Sequence, residues 1–427
     1  MSEGLCVGRA HRGLLIFVVS TALSALSFLC PPLLSAATTA PVSATSPLLL
    51  WHGYRGDERS WLEAALRRWR AQGGTPVRAL PLPHNALGNK LRAAIPRGNG
   101  PDLFIAAHDR AGSWAAAGLL EPIGAWVSAE LLRDFFPASI AALTVRGNLF
   151  ALPLSAKALA LYYYPELTGS PPETLSELTA QAKRFQEQGE SRWGIGQGAP
   201  DSLYFHAPWL HGFGAEVFHR DGSLALAGAG AEASLQLLRR WELEGVSPPE
   251  LDGALAATYF RERRLAFVVN GPWFRGDLAG AEGWEVAPLP RVDETELAAS
   301  PFLGVEGIFL SAAPRAALHR RREALALAEH LTSAEEAVEL LRVGLLSARR
   351  SCYQENTGIA APLEERERRW RETFLRQFEQ SRALSNDPRM GSVWTPMARA
   401  LSLARRGKQS PAAALAEARQ RIEEGWR

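Results

Sequence analysis

Side chains able to do chemistry stand in this sequence at the ends of apolar runs. Asp109 and Arg110 follow Asp102–Ala106, Trp273 follows Leu265–Asn270 and a Gly271-Pro272 turn, and Tyr54 and Arg55 follow Leu48–Trp51. Strand ends are where an α/β fold opens a crevice. The turn context therefore puts Trp273 at a crevice and makes Tyr54 and Arg55 loop-facing contacts, with Trp51 in the core and Asp57 and Glu58 beginning the next helix. The competing reading of Asp109 and Arg110 is a solvated ion pair at a helix start, where Asp is a good cap.

Catalytic signatures are missing. The chain has no G-x-x-x-x-G-K-[ST] phosphate loop, no H-E-x-x-H, no paired C-x-x-C and no G-x-S-x-G elbow. His206 and His211 flank Pro208 and read as surface or crevice histidines rather than metal ligands. No catalytic residue, metal or cofactor is assigned, and binding is favoured over chemistry.

The elements that position these residues alternate. Strands are expected at 48–51, 77–82, 102–106 and 265–270, with β-prone runs at 149–154 and 159–164. Periodicity predicts helices over 58–71, 86–95, 112–118, 173–188, 229–244, 324–341, 363–381 and 411–424. This alternation argues for an α/β chain in two lobes, each a mostly parallel sheet flanked by helices.

A chain of 427 residues, 47% hydrophobic and 22% charged, can bury two cores. With 47 basic against 45 acidic side chains, a net charge of +2 gives no electrostatic case for nucleic acid or an anionic membrane. The first residues read as a secretory signal: basic Arg9, His11 and Arg12, the apolar run Leu14–Leu29, then Ser35-Ala36-Ala37, with the cut placed after Ala37. An uncleaved anchor and a lipid attachment at Cys30 are the alternatives. Residues 38–47 form a linker. Once the signal is removed only Cys352 remains, so no internal disulfide can form.

Several segments agree in order and spacing with one known family. They are Trp51-His52, Gly100-Pro101-Asp102-Leu103-Phe104 with Ala107-His108-Asp109-Arg110 and Gly118-Leu119-Leu120, Phe150-Ala151-Leu152-Pro153, Asn270-Gly271-Pro272-Trp273, Pro301–Val305 and Met390–Trp394. Over about residues 48–425 the chain resembles the bacterial extracellular solute-binding protein family of ABC importers, the family that contains maltose-binding protein.

The resemblance implies a type II periplasmic binding protein fold with the ligand in the interlobe cleft. The lobes would be 48–156 with 306–357, and 157–305 with 358–427, joined by crossovers near Ser155–Leu159, Leu303–Ile308 and Glu355–Pro362. It implies a periplasmic monomer that closes on a carbohydrate and delivers it to an inner-membrane permease served by a separate ATPase. Aromatic rings cover a sugar's apolar faces and polar groups take its hydroxyls. By position, Asp109 and Arg110 match a ligand-binding pair, Trp273 and Trp394 match stacking positions, and Tyr204 and Phe205 match an aromatic pair.

Four positions depart from the family. A tryptophan is Ala106 here, an acidic crossover residue is Lys157, another acid falls on Ser202 beside Asp201, and a late arginine is Ala398 beside Arg399. Lys157 in place of an acid implies either a different neutral oligosaccharide or a ligand carrying an acidic group. Alternatives are a binding protein for an acidic or phosphorylated sugar or polyol, a sensor subunit, and a periplasmic carbohydrate-active enzyme.

Overall fold

The computed structural model describes residues 46–219, 221–312, 318–353 and 364–426. The expected signal sequence, its cut after Ala37, Cys30 and the expected crossover at Glu355–Pro362 lie outside them. The described residues all belong to one contact unit, Ser43–Arg427.

Among the described residues there are twelve strands: β1 (Leu48–His52), β2 (Val77–Pro81), β3 (Leu103–Ala107), β4 (Thr144–Val145), β5 (Asn148–Leu149), β6 (Ala151–Lys157), β7 (Ala160–Tyr163), β8 (Trp193–Gln197), β9 (Leu265–Asn270), β10 (Glu285–Ala287), β11 (Phe302–Leu310) and β12 (Arg382–Ala383). One sheet has the order β12-β11-β3-β1-β2, with β6 also paired to β11; a second has the order β10-β7-β9-β8. The chain is α/β with two such sheets, both mixed: parallel pairings predominate in the first, where β11 is also parallel to β12, and antiparallel pairings in the second. β1 is parallel to β2 and β3, and β8 to β9, whereas β11 runs antiparallel to β3 and β6, and β7 antiparallel to β9 and β10. A parallel neighbour needs a helical crossover on the same sheet. β7 follows β6 after only Ala158 and Leu159 and joins the other sheet, so it has none. The expected crossover Ser155–Leu159 falls at this β6–β7 junction, and Leu303–Ile308 lies within β11.

Every residue of β9 and β7 is buried, the mark of a strand covered on both faces. Leu265 and Val268 of β9 pack into one apolar core with β1, β3 and β11, and Ala266, Phe267 and Val269 into a second. Helix Leu175–Gln186 shows how the covering layer forms. Thr174 caps it by accepting from Glu177 N at 3.2 Å, Glu177 reaches back to the Glu173 amide at 2.8 Å, and Leu175, Leu178, Ala182 and Phe185 line its buried face. Each buried Leu or Phe there stabilises the fold by about 1.5–3 kcal/mol.

The single helix expected over 324–341 is two, Leu318–Leu331 and Ala334–Arg342. Thr332 Oγ1 turns back to donate to Ala328 O at 2.9 Å, and Ser333 caps the next helix by accepting from Glu336 N at 3.3 Å. The reading missed helix Leu203–Gly212, which contains Pro208, and helices Gly253–Arg261 and Trp394–Arg405. His206 and His211 lie on the first of these and are buried, not at the surface or a crevice.

Arg320 fastens the start of β1. Its guanidinium donates to both Asp102 oxygens (2.6 and 2.7 Å), to Ser46 O at 3.1 Å and to Pro47 O at 2.9 Å, while Asp102 Oδ2 also accepts from Leu49 N at 2.7 Å.

Candidate ligand crevice

Glu306 sits in the middle of β11 as the one charge in Phe-Leu-Gly-Val-Glu-Gly-Ile-Phe-Leu. Its pairing with β6 shifts register between Glu306 and Gly307, the kind of irregularity that re-aims a side chain. Three donors converge on its carboxylate. Tyr54 Oη (3.1 Å) and Ser155 Oγ (3.2 Å) donate to one oxygen and Lys157 Nζ (3.4 Å) to the other. Burial pushes the Glu306 carboxyl up, but the Lys157 charge and these donors outweigh it and hold it below the usual range. The Glu306 charge in turn raises the Lys157 ammonium, so both stay charged at neutral pH. Burial, then the Glu306 charge, raises the Glu58 carboxyl.

Lys157 Nζ also stands 5.9 Å above the centre of the Trp273 ring, within reach of a cation–π attraction. Trp273 keeps 38% of its surface exposed. Its indole folds back over Gly271, where a Cβ would come within 2.2 Å of the ring, so only glycine admits this pose. The rings of Tyr204 and Phe205, from the start of helix Leu203–Gly212, lie 6.3 and 6.5 Å from it. Burial pushes the Tyr204 hydroxyl up to about 12, and that oxygen has no hydrogen-bond partner among the described residues. Together these groups form an aromatic corner beside a neutralised ion pair. Such a surface suits a ligand with apolar faces and a hydroxyl rim.

The structure thus brings Lys157, Trp273, Tyr204 and Phe205 together, with Tyr54 beneath them. Tyr54 is buried rather than loop-facing, because its ring packs edge-on against Trp61 (6.3 Å) and its hydroxyl is held by Glu306. Arg55 is exposed at the start of helix Gly56–Ala71. Asp109 (half-buried) and Arg110 (exposed) follow β3 on a turn that His108 pins in place. His108 Nε2 donates to Leu384 O at 2.8 Å and Nδ1 accepts from Val305 N at 3.1 Å. β3 pairs Ala107 opposite Glu306, so this turn leaves the sheet beside that carboxylate. Neither Asp109 nor Arg110 forms a salt bridge among the described residues. Trp394 is half-buried and lines an open hollow of about 640 Å³ with Pro200, Asp201, Ser202, Leu251 and Asp252, next to the helix that carries Tyr204.

Sequence reasoning missed Glu306. The signal was a lone carboxylate inside an apolar run, a group that burial tolerates only with partners. No cluster of three or more His, Cys, Asp or Glu able to hold a metal exists among the described residues.

Residues 54–338 match the sequence profile of the bacterial extracellular solute-binding proteins. A maltotriose-binding protein of Pyrococcus abyssi is 32% identical over 265 residues, 61% of this chain and 56% of its own length. The match thus spans little more than half of that relative. The maltodextrin-binding protein of Bacillus subtilis is 25% identical over 74% of this chain and 75% of its own. Among solved structures, a cyclo/maltodextrin-binding protein complexed with maltotetraose has a TM-score of 0.76 at 27% identity, covering 89% of this chain and 97% of that one. The Thermus thermophilus maltotriose binding protein bound with maltotriose also has a TM-score of 0.76, at 26% identity, covering 89% and 100%.

Proposed function

Since this chain belongs to the bacterial extracellular solute-binding proteins, we propose that it is the exported substrate-binding subunit of an ABC importer, capturing a malto-oligosaccharide or closely related neutral sugar. The observation that carries this reading is the aromatic corner of Tyr204, Phe205 and Trp273 beside the Lys157–Glu306 pair. The rings cover sugar C–H faces, and the polar cluster meets hydroxyls. Trp394 adds a second aromatic face in the adjoining hollow, Asp109 and Arg110 reach the ligand from the β3 turn, and Arg55 from the start of its helix.

In this reading the lobes are 48–156 with 306–357, and 157–305 with 358–427. They close about the β6–β7 junction and β11, a hinge motion of the kind binding proteins use. The protein works as a monomer, performs no catalysis of its own, and hands its ligand to a permease driven by a separate ATPase. Cleavage after Ala37 leaves it free in the periplasm; attachment at Cys30 is the alternative, and the mass of the amino-terminal peptide distinguishes the two.

A thermal-shift series with maltose through maltotetraose tests the reading. A ligand at about 100 times its Kd adds roughly 2.7 kcal/mol of stability. Trp273→Ala should keep the melting temperature of the free protein and weaken binding by about 10- to 100-fold, the scale of a lost aromatic stack of roughly 1.4–3 kcal/mol. No shift with any neutral oligosaccharide would overturn the sugar assignment.

A further inference from the structure

Lys157 alone over the aromatic corner would draw an anionic ligand. The geometry points to Glu306 as the residue that prevents this: by pairing with Lys157 it makes the crevice select neutral sugars over sugar acids and sugar phosphates. This specificity-determining role rests on the sugar-capture reading above.

The pair is built to persist. Lys157 and Glu306 stand on hydrogen-bonded neighbours, with Ser155 of β6 opposite Glu306 of β11. Glu306 cannot swing away, because its second oxygen is held by Tyr54 and Ser155 while the first receives Lys157 at 3.4 Å. Lys157 keeps about a third of its side-chain surface exposed and Glu306 about an eighth, so the ammonium is the partner that a ligand meets first.

An anion that took the ammonium would have to share it with Glu306. Glu58, which interacts electrostatically with both partners, adds a further carboxylate. With Arg55, Arg110 and Asp109 counted as well, three carboxylates match three cations, so an anion finds no uncompensated positive charge, and carboxylates set beside the ammonium are how a binding site excludes a wrong ligand. A neutral hydroxyl meets no such opposition. It can accept from Lys157 while the ion pair stays intact, and the unpartnered Tyr204 hydroxyl lies at the same corner.

The test compares maltotriose with its three derivatives that carry a C6 carboxylate on one ring each, by titration calorimetry at neutral pH. The parent protein should bind maltotriose at least about tenfold more tightly than any of the acids. In Glu306→Gln at least one acid should gain about tenfold relative to maltotriose, and adding Lys157→Met should abolish that gain. Glu306→Met, of similar length and uncharged, replaces the Gln form if circular dichroism shows that form unfolded, with the same expectation. A variant that binds maltotriose with the acid preference of the parent overturns this role and leaves the sugar reading standing. A parent that prefers an acid to maltotriose overturns both.

Discussion

His206 and His211 sit buried on one helix with neutral partners. Ser234 Oγ donates to Ala231 O and therefore accepts from His206 Nε2 (3.0 Å), and His211 Nδ1 donates to Ser300 O (2.6 Å). Burial, with a smaller contribution from His211, pushes His206 down to about 3, and burial pushes His211 down to about 4. An unfolded histidine titrates near 6.5. Below that value the unfolded chain takes up protons that the folded chain refuses, so stability present above pH 6.5 is lost progressively as pH falls toward 4 and 3. Calorimetric melting temperatures should fall over this window, and less steeply in a His206→Gln/His211→Gln double variant. An identical slope would show that other groups govern the acid limb. These histidines were misplaced from sequence because spacing around a proline says nothing of depth. Trp273 was easier to place, since Asn-Gly-Pro after a strand announces a turn. Glu306 was visible as an isolated charge, but reading 303–308 as a crossover hid that it belongs to a buried strand.

At the scale of elements, punctuation decided what could be read. β9 ends at Gly271-Pro272, helix Pro411–Glu424 begins behind Ser410, and both stand where the sequence put them. Helix Leu203–Gly212 carries apolar residues on every side and a proline inside, so it has no 3.6-residue stripe to recognise. β12 is two residues long and exists only because β11 lies beside it. The break at Thr332-Ser333 is a capping event inside an otherwise continuous pattern. Ser333→Ala should cost about 1 kcal/mol, the usual worth of such a cap, read as a lower urea midpoint with an unchanged slope. A change in slope instead would mean that the two helices had merged or frayed.

At the scale of the whole molecule, residues far apart in sequence are joined by a few buried ion pairs. Arg405, at the end of the helix that Trp394 begins, bonds Asp201 at 3.1 Å and Glu242 at 2.5 Å, and so fixes the loop that walls the Trp394 hollow. Arg320 joins Asp102 across 218 positions. Removing one partner of such a pair strands the other charge, so Arg320→Met should lower unfolding stability by about 3–5 kcal/mol. A loss under about 1 kcal/mol in denaturant titration would mean the pair is solvated like a surface bridge. No pattern in the sequence announces either pair, because long-range partners carry no periodicity. The family segments pointed to the order of elements along the chain, and the charges that bolt them together became visible only in three dimensions.

The Arg320 clamp also decides how the fold meets mechanical load. A pull on the chain ahead of Ser46 arrives first at the guanidinium that grips Ser46 and Pro47, and through Asp102 it is shared with β3 and with helix Leu318–Leu331. What passes on enters β1 along its own axis, between the parallel strands β2 and β3. Tension in that direction shears a whole row of hydrogen bonds at once instead of unzipping them singly. Forced unfolding is governed by its barrier, so this end of the protein behaves as a fastening, one that takes up tension ahead of Tyr54, which follows β1 and donates to Glu306.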